Sequence, residues 1–424
     1  MKTKYDLIVV GGGFAGAAAA IEAARHGTDV LLIEKYNCLG GAAAFALVSP
    51  FMSYWTTMPE TKERKYLTGN LFLEMVERCL AITYESQDTE FVTDAIFDEE
   101  CMKLTLARMA KEAGVTLLFN TVVNAVNSEN GRIRSVKCAC KAVEMEFSAD
   151  HFIDATGDAE LSAMAGCVCE VGREEDGLCQ PMTLCFRVSG IDKEKFMPNR
   201  HKMQARYKEW QASGRIHNPR ENVLIFRNYN AGVIHFNTTR VIRKSPTDPF
   251  AITEAELDAR EQVFEMMTFL REAVDGCEHA RLLSTAMHIG IRESRRVIGE
   301  YVLCEKDLLS LARFEDAIAT SNYAIDIHNP DGSGTVWQEF GDGEWYEIPY
   351  RCLLPKGFEN LLVAGRCISS THEAQASYRI MPYCAELGHA AGCAVALAKK
   401  SGKTVRSVDV KALQSILRSE GFAI

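Results

Sequence analysis

Residues 291–296, IRESRR, place three arginines and one glutamate in six positions. An arginine fork matches a carboxylate or phosphate through parallel N–H···O bonds, so such a cluster is a candidate anion anchor. Arg292 and Arg296 are i,i+4 neighbours on a helix and share a face on a strand, so they are expected to converge under either local structure. The direction of Arg295 depends on which one forms. The plainer alternative is ion pairing with Glu293, Glu300 or other nearby acids at the surface, and it stays open beside the first. Three histidines are candidates for the proton that accompanies such chemistry: His288 one helical turn before Arg292, His235 in the strand-like GVIHFN, and His372 in SSTHEA. Each can equally be a structural hydrogen-bonder.

A second set of residues has a more specific spacing. Gly11, Gly13 and Gly16 form G-x-G-x-x-G between the apolar run YDLIVV and the Ala-rich FAGAAAAIEAARHG. The first glycine permits the tight turn and the second lets backbone N–H groups approach a pyrophosphate. The third allows close packing, and the helix N-terminus adds positive character. Glu34 closes the next apolar run, DVLLIE, 18 residues after Gly16, where a carboxylate accepts from ribose hydroxyls. Strand, turn, helix, strand and terminal acid together specify a dinucleotide site.

Two further segments favour FAD over a nicotinamide. DATGDAEL (154–161) and NLLVAGRC (360–367) each end an expected strand in a tight glycine turn. A site assembled from both ends of a long chain suits a long cofactor lying across a sheet. Only one G-x-G-x-x-G is present, so a dedicated NADPH domain is not expected. The flavin would exchange electrons with the substrate and with a separate electron acceptor or donor.

The segments GGGFAGAAAAIEAARHGTDVLLIE, LGGAAA, DATGDAEL, IRESRRVIGEY and IPYRCLLPKGFENLLVAGRCISSTHEAQASYRIMPYCAELGHAAG together resemble the FAD-dependent oxidoreductases of the glutathione-reductase-type superfamily, within its uncharacterised bacterial flavoprotein group. The resemblance implies that Glu34 binds the adenosine ribose, Gly40 and Gly41 lie near the pyrophosphate, and Val123 holds adenine through its backbone. Gly157 and Asp158 would lie along the cofactor, and Gly365 and Arg366 would approach the ribityl chain. Many members carry Gly-Asp where this chain has Gly365-Arg366, which puts the ribityl contact in doubt. Phe14, Ala15, Lys35, Ala155 and Met381 complete the expected cofactor contacts. Pro382 suits a first helical turn, and the helix it opens is expected to aim its N-terminal dipole at the flavin pyrimidine. Tyr350, Arg351 and Arg379 flank these late motifs and are candidates for the substrate face; Cys38 is the cysteine expected nearest the flavin.

The elements that must position these residues follow from the periodicities. The order strand, helix, strand at the N-terminus marks a parallel sheet covered by helices. The expected fold is α/β: a Rossmann-like FAD-binding domain with a parallel sheet, plus a mixed α+β substrate domain. The FAD-binding domain would be assembled from residues 1–45, 95–176 and 350–424. A mostly helical insertion would span 46–94, and the substrate or cap domain 177–349. With 47% hydrophobic and 25% charged residues, the 424-residue chain has an ordinary globular composition. Its formal charge of −10 argues against a nucleic-acid partner, and with it against a tRNA-modifying flavoprotein. The 15 cysteines include no CxxC pair, which fits a reducing cytoplasm; the apolar N-terminus is broken by Asp6 and glycines, unlike a signal peptide. No run of about 20 uncharged apolar residues suggests a membrane span. These features together predict hydride transfer between a small polar, carboxylated substrate and flavin. A non-catalytic redox sensor or electron-transfer subunit remains the alternative.

Overall fold

The computed structural model describes residues 2–86, 95–230 and 232–424. The strand Lys4–Val10 is buried on both faces from Leu7 onward, because helices cover one face and residues of the antiparallel strands 122–154, with the short helix Glu160–Ala165, cover the other. It pairs in parallel with Val30–Ile33 on one side and with the second half of Val143–Asp154 on the other. That long strand has two roles. Its first half runs antiparallel to Arg132–Cys140, whose other neighbour is Val122–Glu129, and its second half also pairs in parallel with Leu361–Val363. With Thr116–Leu118 beside Val30–Ile33, the sheet has seven strands. Val10, Ile33, Asp154 and Val363 end at one edge, so the glycine turns that follow three of them converge there. This is the carboxyl-end crevice where open α/β sheets bind ligands, and the Rossmann-like expectation holds.

The helix Phe14–Arg25 packs along the late helix Met381–Ser401 with almost no space between them. A Cβ on Gly388 would lie 1.9 Å from the Ala15 carbonyl oxygen, and one on Gly392 would lie 2.4 Å from that of Ala19. Gly388→Ala is therefore expected to push the two helices apart and to cost about 1–3 kcal/mol. A lowered midpoint of thermal unfolding, with weaker flavin retention, is the measurement that checks it.

A second core is built on an antiparallel sheet in the order Ile225–Arg227, Ile234–Phe236, Phe186–Ser189, Arg281–Thr285. The helices Lys193–Ala212 and Pro249–Ala273 complete it, and its buried members run from Met182 to Ile289 apart from Leu47. Beyond that point the chain returns to the first core. Arg295–Val297 pairs with Cys169–Val171, Ala317–Ser321 pairs with Tyr346–Pro349, and Ile318, Ile325 and Ile348 pack with Leu7 and Val9. The span 177–349 thus divides between two cores. A buried ion pair, Arg187 with Glu99, ties the second sheet to the helix Glu99–Glu112 of the first.

The described part of 46–94 holds the helix Asn70–Ser86 and also a small hairpin, Trp55–Thr57 with Arg64–Tyr66. Residues 87–94 lie outside the described residues. Among the described residues no single helix is long and apolar enough to cross a membrane.

Candidate active site

The glycine turn is held by its own acid. Glu34 is buried and accepts from the Gly12 N–H (2.5 Å) and the Tyr36 N–H (2.9 Å). Burial pushes its carboxyl up, while these two bonds oppose the shift. The third glycine of the motif does not touch the groove. A Cβ on Gly16 would lie 1.8 Å from the Gly11 carbonyl oxygen, so it lets the helix close on the turn. Phe14–Arg25 begins with no side-chain cap and no acid in its first turn, leaving its N-terminal N–H groups free for an anion.

These residues line one continuous groove of about 640 Å³, within the range that holds a cofactor-sized ligand. Glu34, Lys35 and Val123 stand at one end of it, and Gly11, Gly13, Phe14, Ala15, Gly40 and Gly41 along the turn. Ala155, Gly157, Asp158, Gly365, Arg366 and Met381 continue it along the other strand ends. Every nominated cofactor residue except Gly16 therefore faces a single cavity. The backbones cross closely there, since a Cβ on Gly41 would lie 2.8 Å from Gly13 Cα. A phosphate-bearing cofactor fits this cradle of glycine and uncapped helix start. The late helix also starts without a side-chain cap or acid, and Met381 and Cys384 of its first turn line the groove.

Where the superfamily pattern has Gly-Asp, the charge is reversed locally. The Arg366 guanidinium pairs with Asp158 (2.5 Å), which also accepts from the Ser294 hydroxyl (2.6 Å). Burial pushes the Asp158 carboxyl up, and Arg366, Ser294 and Lys35 more than offset it, leaving it below the usual range. The acid beside Gly365-Arg366 is thus Asp158, in the turn that follows Val143–Asp154.

The expected Arg292–Arg296 clamp does not form. Residues 291–294 are irregular: the bridge between Thr183 and Gly290 holds one end and the strand Arg295–Val297 the other. Arg292 turns toward the second core and donates to the Pro181 carbonyl (2.7 Å) and the Thr183 hydroxyl (2.6 Å). Arg296 turns the other way into the interior. It donates to the carbonyls of Ser370 (3.0 Å) and Gly172 (2.8 Å) and forms an ion pair with Glu293. The same Glu293 holds His372 (2.9 Å), so that histidine is a structural partner rather than a group facing the groove. Arg295, whose direction was open, does line the groove beside Asp158.

The other candidates separate as clearly. His288 lines the groove, but it stacks on Tyr36 at 5.1 Å, at the Glu34 end. His235 is buried in the second sheet, Tyr350 donates to the Val405 carbonyl in the core, and Arg351 pairs with Asp316. Cys38 is half-buried with its thiol pushed up by burial, outside the groove lining.

Arg379 lines the groove with Met381 and Cys384. Its Nη2 reaches the Asp326 carboxylate at 3.5 Å, and its Nε is buried with no hydrogen-bond partner. Asp326 also faces His328 Nε2 (3.4 Å) and Tyr323 Oη (3.3 Å). Arg240 donates to His328 Nδ1 (3.0 Å), which assigns the ring proton to Nε2. Burial, then the charge of Arg292, pulls His328 down to about 3, so the ring is neutral. No carboxylate pairs with Arg292 among the described residues, and burial, Arg379 and Arg220 lower it to about 9. A guanidinium keeps its proton, and burial with the neighbouring Arg379 and Arg220 makes a positive charge unfavourable there, only partly offset by Asp326. Asp326, His328 and Tyr323 were not anticipated, although the alternation D-I-H in NYAIDIH puts two of them on one strand face.

A model of the family described as FAD dependent oxidoreductase matches residues 6–417. A digeranylgeranylglycerophospholipid reductase of Methanoculleus marisnigri is 30% identical over 177 residues, which is 39% of this chain and 42% of that protein. A vinyl phenol reductase of Lactiplantibacillus plantarum is 56% identical over 41 residues, 10% of this chain and 8% of the relative. The chain therefore spans less than half the length of these curated relatives. Among solved structures, a geranylgeranyl bacteriochlorophyll reductase-like protein from Thermoplasma acidophilum superposes with a TM-score of 0.47 and 13% identity, over 98% of this chain and 84% of that one.

Proposed function

This chain belongs to the FAD dependent oxidoreductase family, and from that premise we propose that it transfers a hydride between its flavin and a small, polar, carboxylated molecule. Bound FAD supplies the two-electron chemistry. What supports a carboxylated substrate is Arg379: a guanidinium lining the groove, 3.5 Å from the Asp326 carboxylate and beside Arg292, which pairs with no carboxylate among the described residues. An anionic group entering there gains a charge-assisted bond and relieves repulsion between buried cations.

The protein's own groups divide the work. Glu34 fixes the glycine turn, and the two uncapped helix starts favour negative charge along the groove. Arg366 and Arg295 border it from opposite sides of Asp158. Asp326 orients Arg379 and is itself held by His328 and Tyr323. A separate electron carrier closes the cycle, in keeping with the single dinucleotide motif.

Anaerobic titration of the purified flavoprotein with candidate donors tests this. Carboxylated donors are expected to bleach the flavin, and their amide or ester analogues to do so at least tenfold less efficiently. Equal reduction by the neutral analogues removes the anionic substrate. Reduction by an electron-carrier protein alone, with no organic donor active, would favour an electron-transfer subunit instead.

A further inference from the structure

A second group of chemically capable side chains lies at the opposite end of the paired helices. His26 caps the first helix at its C-terminal end, Cys393 sits on the late helix, and Glu420 follows the last helix, Val410–Ser419. Their ligand atoms, His26 Nε2, Cys393 Sγ and a Glu420 oxygen, all lie within 4.8 Å of one another. His26 Nε2 is 2.8 Å from Glu420 Oε1, and Cys393 Sγ is 3.5 Å from Oε2. His389 Nε2 holds Oε2 at 2.5 Å, and the buried Glu22 completes a second such group with His389 and Glu420.

We infer that His26, Cys393 and Glu420 form a site for a zinc-like divalent transition metal, with water as the fourth ligand and His389 orienting the carboxylate. The donor set decides the class of ion. One imidazole, one thiol and one carboxylate suit a borderline-soft, four-coordinate ion. Calcium and magnesium want six or more oxygens, which this place does not offer. The surroundings favour a cation too: the buried Glu22 carboxylate stands in the adjoining group with His389 and Glu420. Binding exchanges protons for the ion. The thiol proton and any proton on His26 Nε2 leave to solvent, and no electron moves. His389 bonded to the far carboxylate oxygen is the orienting contact that metal ligands commonly have.

The consequence is a clamp. Glu420 also accepts the Asn70 N–H through its backbone carbonyl (2.8 Å), and the ring of Phe422 lies against Gly69. An ion here fastens the C-terminal ends of Phe14–Arg25 and Val410–Ser419 to the interior of Met381–Ser401, without entering the FAD groove.

The test uses the full-length flavoprotein, first stripped with a chelator and then dialysed against Zn(II). One Zn(II) per chain is expected, with X-ray absorption showing one sulfur at about 2.3 Å. Cys393→Ser is expected to lose that sulfur, and His26→Ala, at an accessible position, to weaken binding at least tenfold. FAD content is expected to be unchanged in both. The chain has 15 cysteines, so metal held equally by both variants assigns it elsewhere and overturns the site. Uptake well below one equivalent, or a first shell without sulfur, does the same.

Discussion

Replacing Arg379 with alanine is expected to lower kcat/KM for a carboxylated donor by about 100-fold while the protein keeps its FAD. Arg379 stands in the groove with its Nε unpartnered, and its nearest acid, Asp326, is shared with His328 and Tyr323. Removing one partner of a desolvated charge pair costs roughly 2–5 kcal/mol, which brackets that factor. The loss is expected mainly in KM, because the group anchors the substrate rather than reacting. Arg379→Lys is expected to recover only part of it, since an ammonium cannot reproduce the planar fork. Steady-state kinetics on the acid and on its amide separate the readings: the variant should lose its preference for the acid. Unchanged KM values with the preference intact would place the substrate elsewhere.

Arg296→Ala is expected to behave in the opposite way, lowering the unfolding midpoint on the order of 10 °C with KM within about twofold of the parent. Arg296 supplies the ion pair to the fully buried Glu293 and satisfies the carbonyls of Gly172 and Ser370. Breaking a buried pair from one side costs about 3–5 kcal/mol, because the remaining charge has no water to turn to; each kcal/mol shifts the midpoint of a domain this large by roughly 2–4 °C. Glu293 would retain His372 and the Gln180 N–H, so the fold should survive at low temperature. Calorimetry beside the kinetics decides it. A stable variant with a large rise in KM would return Arg296 to the substrate and contradict the present assignment.

The contrast between these two arginines shows how far the primary structure carries. The glycine turn, Glu34, the DATGD turn and the Gly365 turn were all legible, because each is a local device whose geometry depends on a few consecutive residues. A glycine where the backbone must pass within contact distance identifies itself, and Glu34 is fixed by its place at the end of the next apolar run, 18 residues after Gly16. The Arg366–Asp158 exchange was half legible. The absent acid after Gly365 was visible, but not that Arg366 pairs with Asp158, since the two are joined only when Asp154 and Val363 pair in register.

The cluster IRESRR was not legible in the same way. Period arguments assume regular structure, and residues 291–294 have none, because a bridge to Thr183 and a strand pairing with Cys169–Val171 pull the two ends into different cores. The anchor we propose instead is Arg379, next to Asp326, a residue more than 50 positions away in the chain. By itself, then, the amino-acid order determined the fold class, the cofactor and nearly every nominated residue that lines the groove, since these rest on short-range backbone geometry and burial. Which arginine lines the groove and which holds the core together was decided only by the tertiary structure. A side chain's direction and partners depend on long-range packing, and for a buried charge those partners are the whole of its energy.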